Sequence, residues 1–168
     1  KTKSLDQLKE NSELNNFEFI HTTENIKADD EPVNALRKLK KSSMRLGIDS
    51  IRNSESHGFV SAGNTGALMA ISKFVLRTIN GIDRPAIAGV LPTMKGQTVV
   101  LDLGANVDCS NDNLVQFALM GDIFSKLVLG IKNPKIGLLN VGSEHIKGNL
   151  IVKQTFDDLK KISSKINF

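Results

Sequence analysis

Three short stretches of this chain set glycine beside amide, hydroxyl and ammonium side chains in a pattern suited to handling an anion. The first is Val60-Ser61-Ala62-Gly63-Asn64-Thr65-Gly66-Ala67, which follows the β-like run Gly58–Val60 and opens a long apolar helical run. The second is Asp102-Leu103-Gly104-Ala105-Asn106-Val107-Asp108, and the third runs from Gly142 through Lys147 and Gly148 to Asn149. A strand that ends in a tight turn and feeds a helix leaves backbone N–H groups unpaired and converging. Such a junction favours an anion or a developing oxyanion. Around the glycines stand Asn64, Asn106 and Asn149, the hydroxyls of Ser61 and Thr65, and the ammonium groups of Lys95 and Lys147. This constellation has no nucleophile of its own. It suits transfer between a substrate carbonyl and an external nucleophile that is already anionic, with catalysis by positioning and charge stabilisation. The structural alternative is turn chemistry and helix capping for each asparagine, and backbone orientation for Asp102 and Asp108, either of which could instead position a lysine or a proton. On residue types alone both readings stay open.

Other chemistries lack their motifs. Lys147-Gly148 has neither the glycine spacing nor the following Ser or Thr of a P-loop, and no Gly-x-Gly-x-x-Gly occupies a strand-to-helix turn. Gly58 to Gly63 is one residue out of register for a nucleophile elbow. His21, His57 and His145 show no metal spacing with one another or with Cys109, so no metal and no cofactor are expected. Cys109, beside the second stretch, reads as a small buried hydrophobe.

These stretches need elements to hold them. Phe17–His21 alternates and predicts a strand, and Asp29-Asp30-Glu31-Pro32 predicts the start of a helix running to about Arg52. Ala67 to Ile79 is apolar nearly all round, as in a core or interface helix. Ala86–Leu91 and Thr98–Leu103, separated by the turn Pro92–Gly96, predict two strands close enough to pair antiparallel. A helix follows from about Asn113 to Leu129, then a strand over Lys135–Val141 and a helix to about Ile162. Ile166–Phe168 opens one more strand. Strands alternating with helices imply an α/β protein with a layered, mostly parallel sheet and flanking helices. All three stretches lie at strand C-terminal ends, where such sheets collect ligands, so they are expected to converge on one crevice.

The 168 residues favour one domain over two. No run approaches the roughly 18 apolar residues of a membrane helix. A single cysteine fits a reducing compartment. The net charge of +4 admits an acidic partner, whereas 5% aromatics with no Trp or Tyr argue against nucleic acid. The basic run Arg37 to Arg45, with Lys38, Lys40, Lys41 and Arg45, reads either as a solvated helix face or as a docking patch for an acidic protein. The first residue is Lys1 rather than Met, so a trimmed or partial chain is expected.

Val-Ser-Ala-Gly-Asn-Thr-Gly-Ala-Leu-Met-Ala (60–70), Gly-Ile-Asp-Arg-Pro-Ala (81–86), Leu-Pro-Thr-Met-Lys-Gly (91–96), Leu-Asp-Leu-Gly-Ala-Asn-Val-Asp-Cys (101–109) and Lys-Gly-Asn (147–149) closely resemble the PlsX family of bacterial phosphate acyltransferases. Ser42-Ser43-Met44-Arg45 resembles the family's Ser-Ser-Met segment. The resemblance covers the chain from about Ile20 onward. It implies acyl transfer from acyl-[acyl carrier protein] to inorganic phosphate, giving acyl phosphate for phospholipid synthesis. It further implies a Rossmann-like fold akin to phosphotransacetylase and isopropylmalate dehydrogenase, a homodimer, and a cytoplasmic enzyme with peripheral membrane association. A membrane glycerol-3-phosphate acyltransferase would take the product. The family's N-terminal Met-Gly-Gly-Asp region and C-terminal third have no counterpart here, so residues 1–168 correspond to the central portion of a single catalytic domain. Ser143 stands where members usually carry an acidic residue.

On this resemblance Ser61, Gly63, Asn64, Thr65 and Gly66 hold phosphate, and Asn106 with the Gly104 and Ala105 amides stabilises the thioester oxyanion. Lys95 or Lys147 neutralises phosphate charge, beside Gly148 and Asn149, while Lys38, Lys40, Lys41 and Arg45 dock the carrier. Two alternatives are a phosphotransacetylase-like enzyme using coenzyme A thioesters and a non-catalytic ligand-binding domain on the same fold.

Overall fold

The computed structural model describes residues 16–106, 108–144 and 147–168. The chain divides into two compact units, Lys1–Arg77 and Thr78–Phe168.

The first unit is helical. Helix α1 spans Pro32–Lys38, α2 spans Ser43–Arg52 and α3 spans Thr65–Leu76. The single helix expected from Pro32 to Arg52 is thus two. Leu39 leaves helical geometry at φ −100° and ψ 58°, and the buried Ser42 restarts the chain. Its hydroxyl donates to Leu39 O (2.8 Å) and accepts from Arg45 N (3.4 Å), an N-cap that competes with continuation of α1. The core joins Ala35, Met44, Ile48, Ala67, Ile71 and Val75, one apolar stripe from each helix, with Ile26, Leu36 and Phe59 packed around it. Glycine lets α1 and α3 approach, since a Cβ on Gly66 would lie 2.8 Å from Pro32 Cγ. The strand expected over Phe17–His21 does not form. No strand among the described residues lies beside it, and Phe17 and Ile20 are exposed.

In the second unit, strands β1 (Gly89–Thr93) and β2 (Gly96–Val100) form an antiparallel hairpin pairing Gly89 with Val100 and Thr93 with Gly96. The pairing is the one expected, but the turn tightens to Met94-Lys95 and draws Pro92 and Thr93 into β1. Gly96, at φ +129°, allows it. Helix α4 covers Asn111–Val128 and opens on a reciprocal cap between Ser110 and Asn113; α5 covers Leu150–Lys161. Helix α4 packs against both α5 and β2. Over the expected strand Lys135–Val141 only one bridge forms among the described residues, Lys135 parallel to Asn167, with Ile136 N donating to Asn167 O (2.8 Å). The described residues therefore build a mixed α/β chain whose sheet is a two-stranded antiparallel hairpin, not the mostly parallel layered sheet expected. A strand needs partners to satisfy its edges, and those that Lys135–Val141 requires are not among these residues. No helix among the described residues is long and apolar enough to cross a membrane.

Candidate anion-binding loops

In the first unit the loop before α3 is held by Asn64. Its Oδ1 accepts from Ala67 N (2.9 Å), capping the helix, and its Nδ2 donates to Lys27 O (3.2 Å), Ala28 O (3.0 Å) and Asp30 O (2.9 Å). Every hydrogen-bonding group of this amide is engaged, so Asn64 shapes the loop and fastens it to residues 27–30. Ser61 Oγ accepts from Gly63 N (3.1 Å), which leaves its O–H free to donate. Thr65 and Gly66 are exposed at the first turn of α3, where N–H groups have no intrahelical acceptor.

The loop after β2 is organised by Asp102. Its carboxylate accepts from Ile87 N (2.8 Å), Asn106 N (2.7 Å) and Asn106 Nδ2 (2.9 Å). Partial burial pushes the carboxyl pKa up, but the N–H of Ile87, the Asn106 side chain and the Asn106 and Ala105 N–H groups together hold it below its ordinary value. Asn106 Nδ2 also donates to Pro85 O (3.0 Å). Both hydrogens of that amide are committed inside the loop, so its side chain has none to offer an oxyanion. Ala105 N–H is turned to Asp102 as well. Gly104, exposed and at φ +86°, carries the N–H that remains. The expectation had Asn106 as the donor; residue type does not show where its hydrogens are spent. Asp102, which the sequence leaves either as a backbone orienter or as a group positioning a lysine or a proton, organises the backbone here. Its spacing of four from Asn106 was the available signal.

In the third loop Asn140, which residue patterns did not single out, accepts from Val141 N (2.9 Å) and donates to Lys147 O (3.3 Å). Gly148 sits at φ +86°, and a Cβ there would lie 2.6 Å from Asn140 Oδ1. Asn149 Oδ1 accepts from Val152 N (2.9 Å), capping α5. Lys147 and Ser143 are exposed, and His145 lies outside the described residues. Lys95 is exposed in the β1–β2 turn. Among the described residues, no hydrogen bond or ion pair joins Lys95, the 102–106 loop and the 142–149 loop to one another.

A family model described as fatty acid synthesis protein matches residues 1–168. The chain belongs to that family. It is 55% identical over 148 residues to a phosphate acyltransferase of Paramagnetospirillum magneticum, covering 88% of this chain and 42% of the relative. A phosphate acyltransferase of Magnetococcus marinus is 52% identical over 154 residues (92% and 44%), and one of Ehrlichia ruminantium 54% over 153 (91% and 45%). The chain spans less than half the length of these curated relatives.

For a member of the fatty acid synthesis protein family, two further side-chain environments matter. Burial pushes the Cys109 thiol up, with Asp102 and Asp108 adding to the rise and Arg84 opposing it. The thiol is therefore protonated at neutral pH and ill suited to attack a thioester. The basic run does not lie on one helix face. Lys38 ends α1, while Lys40 and Lys41 sit exposed in the link to α2. Arg45 is half-buried, its Nε 2.9 Å from Asp49 Oδ2 and its guanidinium 5.9 Å from the Phe74 ring centroid. Its charge is already partnered, which weighs against its expected place in the docking set.

Proposed function

We propose that this protein transfers a long-chain fatty acyl group from acyl-[acyl carrier protein] to inorganic phosphate, releasing acyl phosphate and carrier thiol. The observation that carries the reading is the 55% identity over 148 residues to a protein named phosphate acyltransferase. A phosphate oxygen attacks the thioester carbonyl carbon, the carbonyl oxygen takes up negative charge, and the C–S bond breaks to release a thiolate that is then protonated. Phosphate is anionic at neutral pH, so the reaction needs no activated Ser or Cys, in keeping with the raised Cys109 pKa.

In this reading the Ser61 hydroxyl, oriented by the Gly63 N–H, and the Thr65 and Gly66 amides hold phosphate, and Asn64 positions them. The Gly104 N–H faces the oxyanion on a loop fixed by Asp102, Ala105 and Asn106. Lys95 or Lys147 neutralises phosphate charge, with Gly148 and Asn149 shaping the loop that carries Lys147. The 102–106 and 142–149 loops of the second unit lie at the C-terminal ends of strands in a Rossmann-like, mostly parallel sheet of the phosphotransacetylase and isopropylmalate dehydrogenase kind. The long apolar runs at Ala67–Ile79 and Lys135–Val141 support that architecture. Lys38, Lys40 and Lys41 dock the acidic carrier. The enzyme works as a homodimer at the cytoplasmic membrane surface and passes its product to a glycerol-3-phosphate acyltransferase.

The test is phosphate-dependent release of carrier thiol from acyl-carrier protein by the intact gene product. Equal turnover of coenzyme A thioesters would transfer the reading to a phosphotransacetylase-like donor. Phosphate binding without thioester cleavage would leave a ligand-binding domain.

A further inference from the structure

The link between α1 and α2 is held from two sides. On the inner side stands the buried Ser42 cap, to which the backbone adds Ser42 N to Leu39 O (3.3 Å) and Leu46 N to Ser42 O (2.9 Å). These bonds close the turn that starts α2. On the outer side two side chains from much earlier in the chain take up both peptide groups of Lys41. Glu24 Oε2 accepts from Lys41 N (2.8 Å), and the Thr22 hydroxyl donates to Lys41 O. Thr22 Oγ1 also accepts from Glu24 N (3.2 Å), which ties the two clasping residues together. Beyond them the segment is fixed separately. Ile26 packs against the core of the first unit, and the carbonyls of Lys27, Ala28 and Asp30 receive Asn64 Nδ2.

The clasp contributes little as a source of stability. Both of its bonds to Lys41 lie at the surface, where water would serve the N–H and the C=O nearly as well. In charge it is adverse, because Glu24 lowers the positive potential beside the exposed Lys38, Lys40 and Lys41. What it does accomplish is conformational. With N–H and C=O of Lys41 both held, the backbone on either side has little freedom, so the Cα–Cβ directions of Lys40 and Lys41 are set before a partner arrives. Binding then loses less entropy in ordering the link.

We propose that Glu24, together with Thr22, is a positioning residue for the acyl carrier, acting through the Lys41 backbone to preshape the Lys40–Lys41 link for an acidic partner. This role rests on the carrier-docking reading above. Because Ile26 and Asn64 hold the rest of the segment, loosening the clasp alters the meeting with the carrier and leaves the phosphate loop as it was.

Two substitutions at one position separate geometry from charge, each made in the intact gene product and assayed by phosphate-dependent release of carrier thiol. Glu24→Gln and Glu24→Ala remove the same charge, but only glutamine keeps an oxygen for Lys41 N–H. Glu24→Ala should raise the KM for acyl-[acyl carrier protein] about three- to tenfold, with kcat and the KM for phosphate unchanged. Glu24→Gln should leave the carrier KM at or below the parent value. If charge alone governs, both variants lower that KM alike, and this result overturns the role, as does an equal rise in both. A fall in kcat or a matching rise in the phosphate KM of Glu24→Ala marks a general loosening of the unit and refutes it too. Lys40→Glu combined with Lys41→Glu checks the docking reading itself. If that pair leaves the carrier KM unchanged, the docking surface lies elsewhere and both readings fall. If it raises the KM while the two Glu24 variants agree with each other, docking stands and only the role of Glu24 fails.

Discussion

Replacing Asp102 by alanine removes the acceptor for three N–H groups, those of Ile87, Asn106 and the Asn106 side chain, at 2.7–2.9 Å. A hydrogen bond to a charged group contributes about 1.5–3 kcal/mol. Asp102 is only partly buried, so water replaces much of what is lost. We expect a net cost of about 2–3 kcal/mol, felt locally in residues 85–109 of the second unit. At that cost the Ile87 and Asn106 amides exchange with solvent roughly 30- to 150-fold faster in Asp102→Ala than in the parent chain. The pH dependence has a definite sign. The folded-state pKa of Asp102 is depressed, so its stabilising effect is complete above the ordinary carboxylate range and is lost as pH falls through the depressed value. Denaturant unfolding of parent and variant should therefore differ at pH 7, and the difference should begin to shrink only as pH falls below the ordinary carboxylate value of about 3.9. A difference that does not shrink as pH falls below that ordinary value, or amide exchange unchanged by the substitution, would falsify the assignment of Asp102 as the group that organises this loop.

Asn64→Ala should cost about 1–2 kcal/mol of stability through the lost cap, and should also lower acyl phosphate formation by the intact enzyme. Asn64→Asp keeps the cap but sets a carboxylate oxygen against the three carbonyls of residues 27–30, so it should lower both stability and activity; full activity in this variant would refute a positioning role. Gly148→Ala forces a Cβ against Asn140 at a left-handed φ and should destabilise the second unit by about 1–2 kcal/mol in thermal unfolding, and a neutral result would mean that the turn relaxes freely. Reversing charge at Lys40 and Lys41 should weaken carrier binding several-fold and flatten its salt dependence, whereas Arg45→Gln should leave the salt slope unchanged. A large salt-slope change from Arg45→Gln alone would restore that residue to the docking surface.

The helices and their caps were legible in the sequence because their hydrogen bonds are local. Asn64 and Asn149 stand immediately before apolar runs and cap α3 and α5, as their spacing suggests. The hairpin was legible for a similar reason, since its two runs are separated by a short turn. The break at Leu39 was harder to see: Ser42 sits in a basic run that reads as continuous helix, and only its burial against Leu39 O turns it into a cap. The strands over Phe17–His21 and Lys135–Val141 were predicted from alternation and apolarity, which describe a surface ready to pair but not the presence of a partner. Leu139 and Val141 remain 88% and 86% exposed for want of one.

By itself, then, the sequence determined which family this protein belongs to, where its glycine-bearing loops fall, and that they hold no nucleophile activated by a neighbouring base. Tertiary structure decided what those loops can offer. Asn64 and Asn106 carry the residue type of an oxyanion donor, yet their N–H groups are spent on Lys27, Ala28, Asp30, Pro85 and Asp102, tens of residues away or across a turn. The number of donors a side chain owns is fixed by its chemistry, but the number left for a ligand depends on which carbonyls and carboxylates the fold brings within about 3 Å.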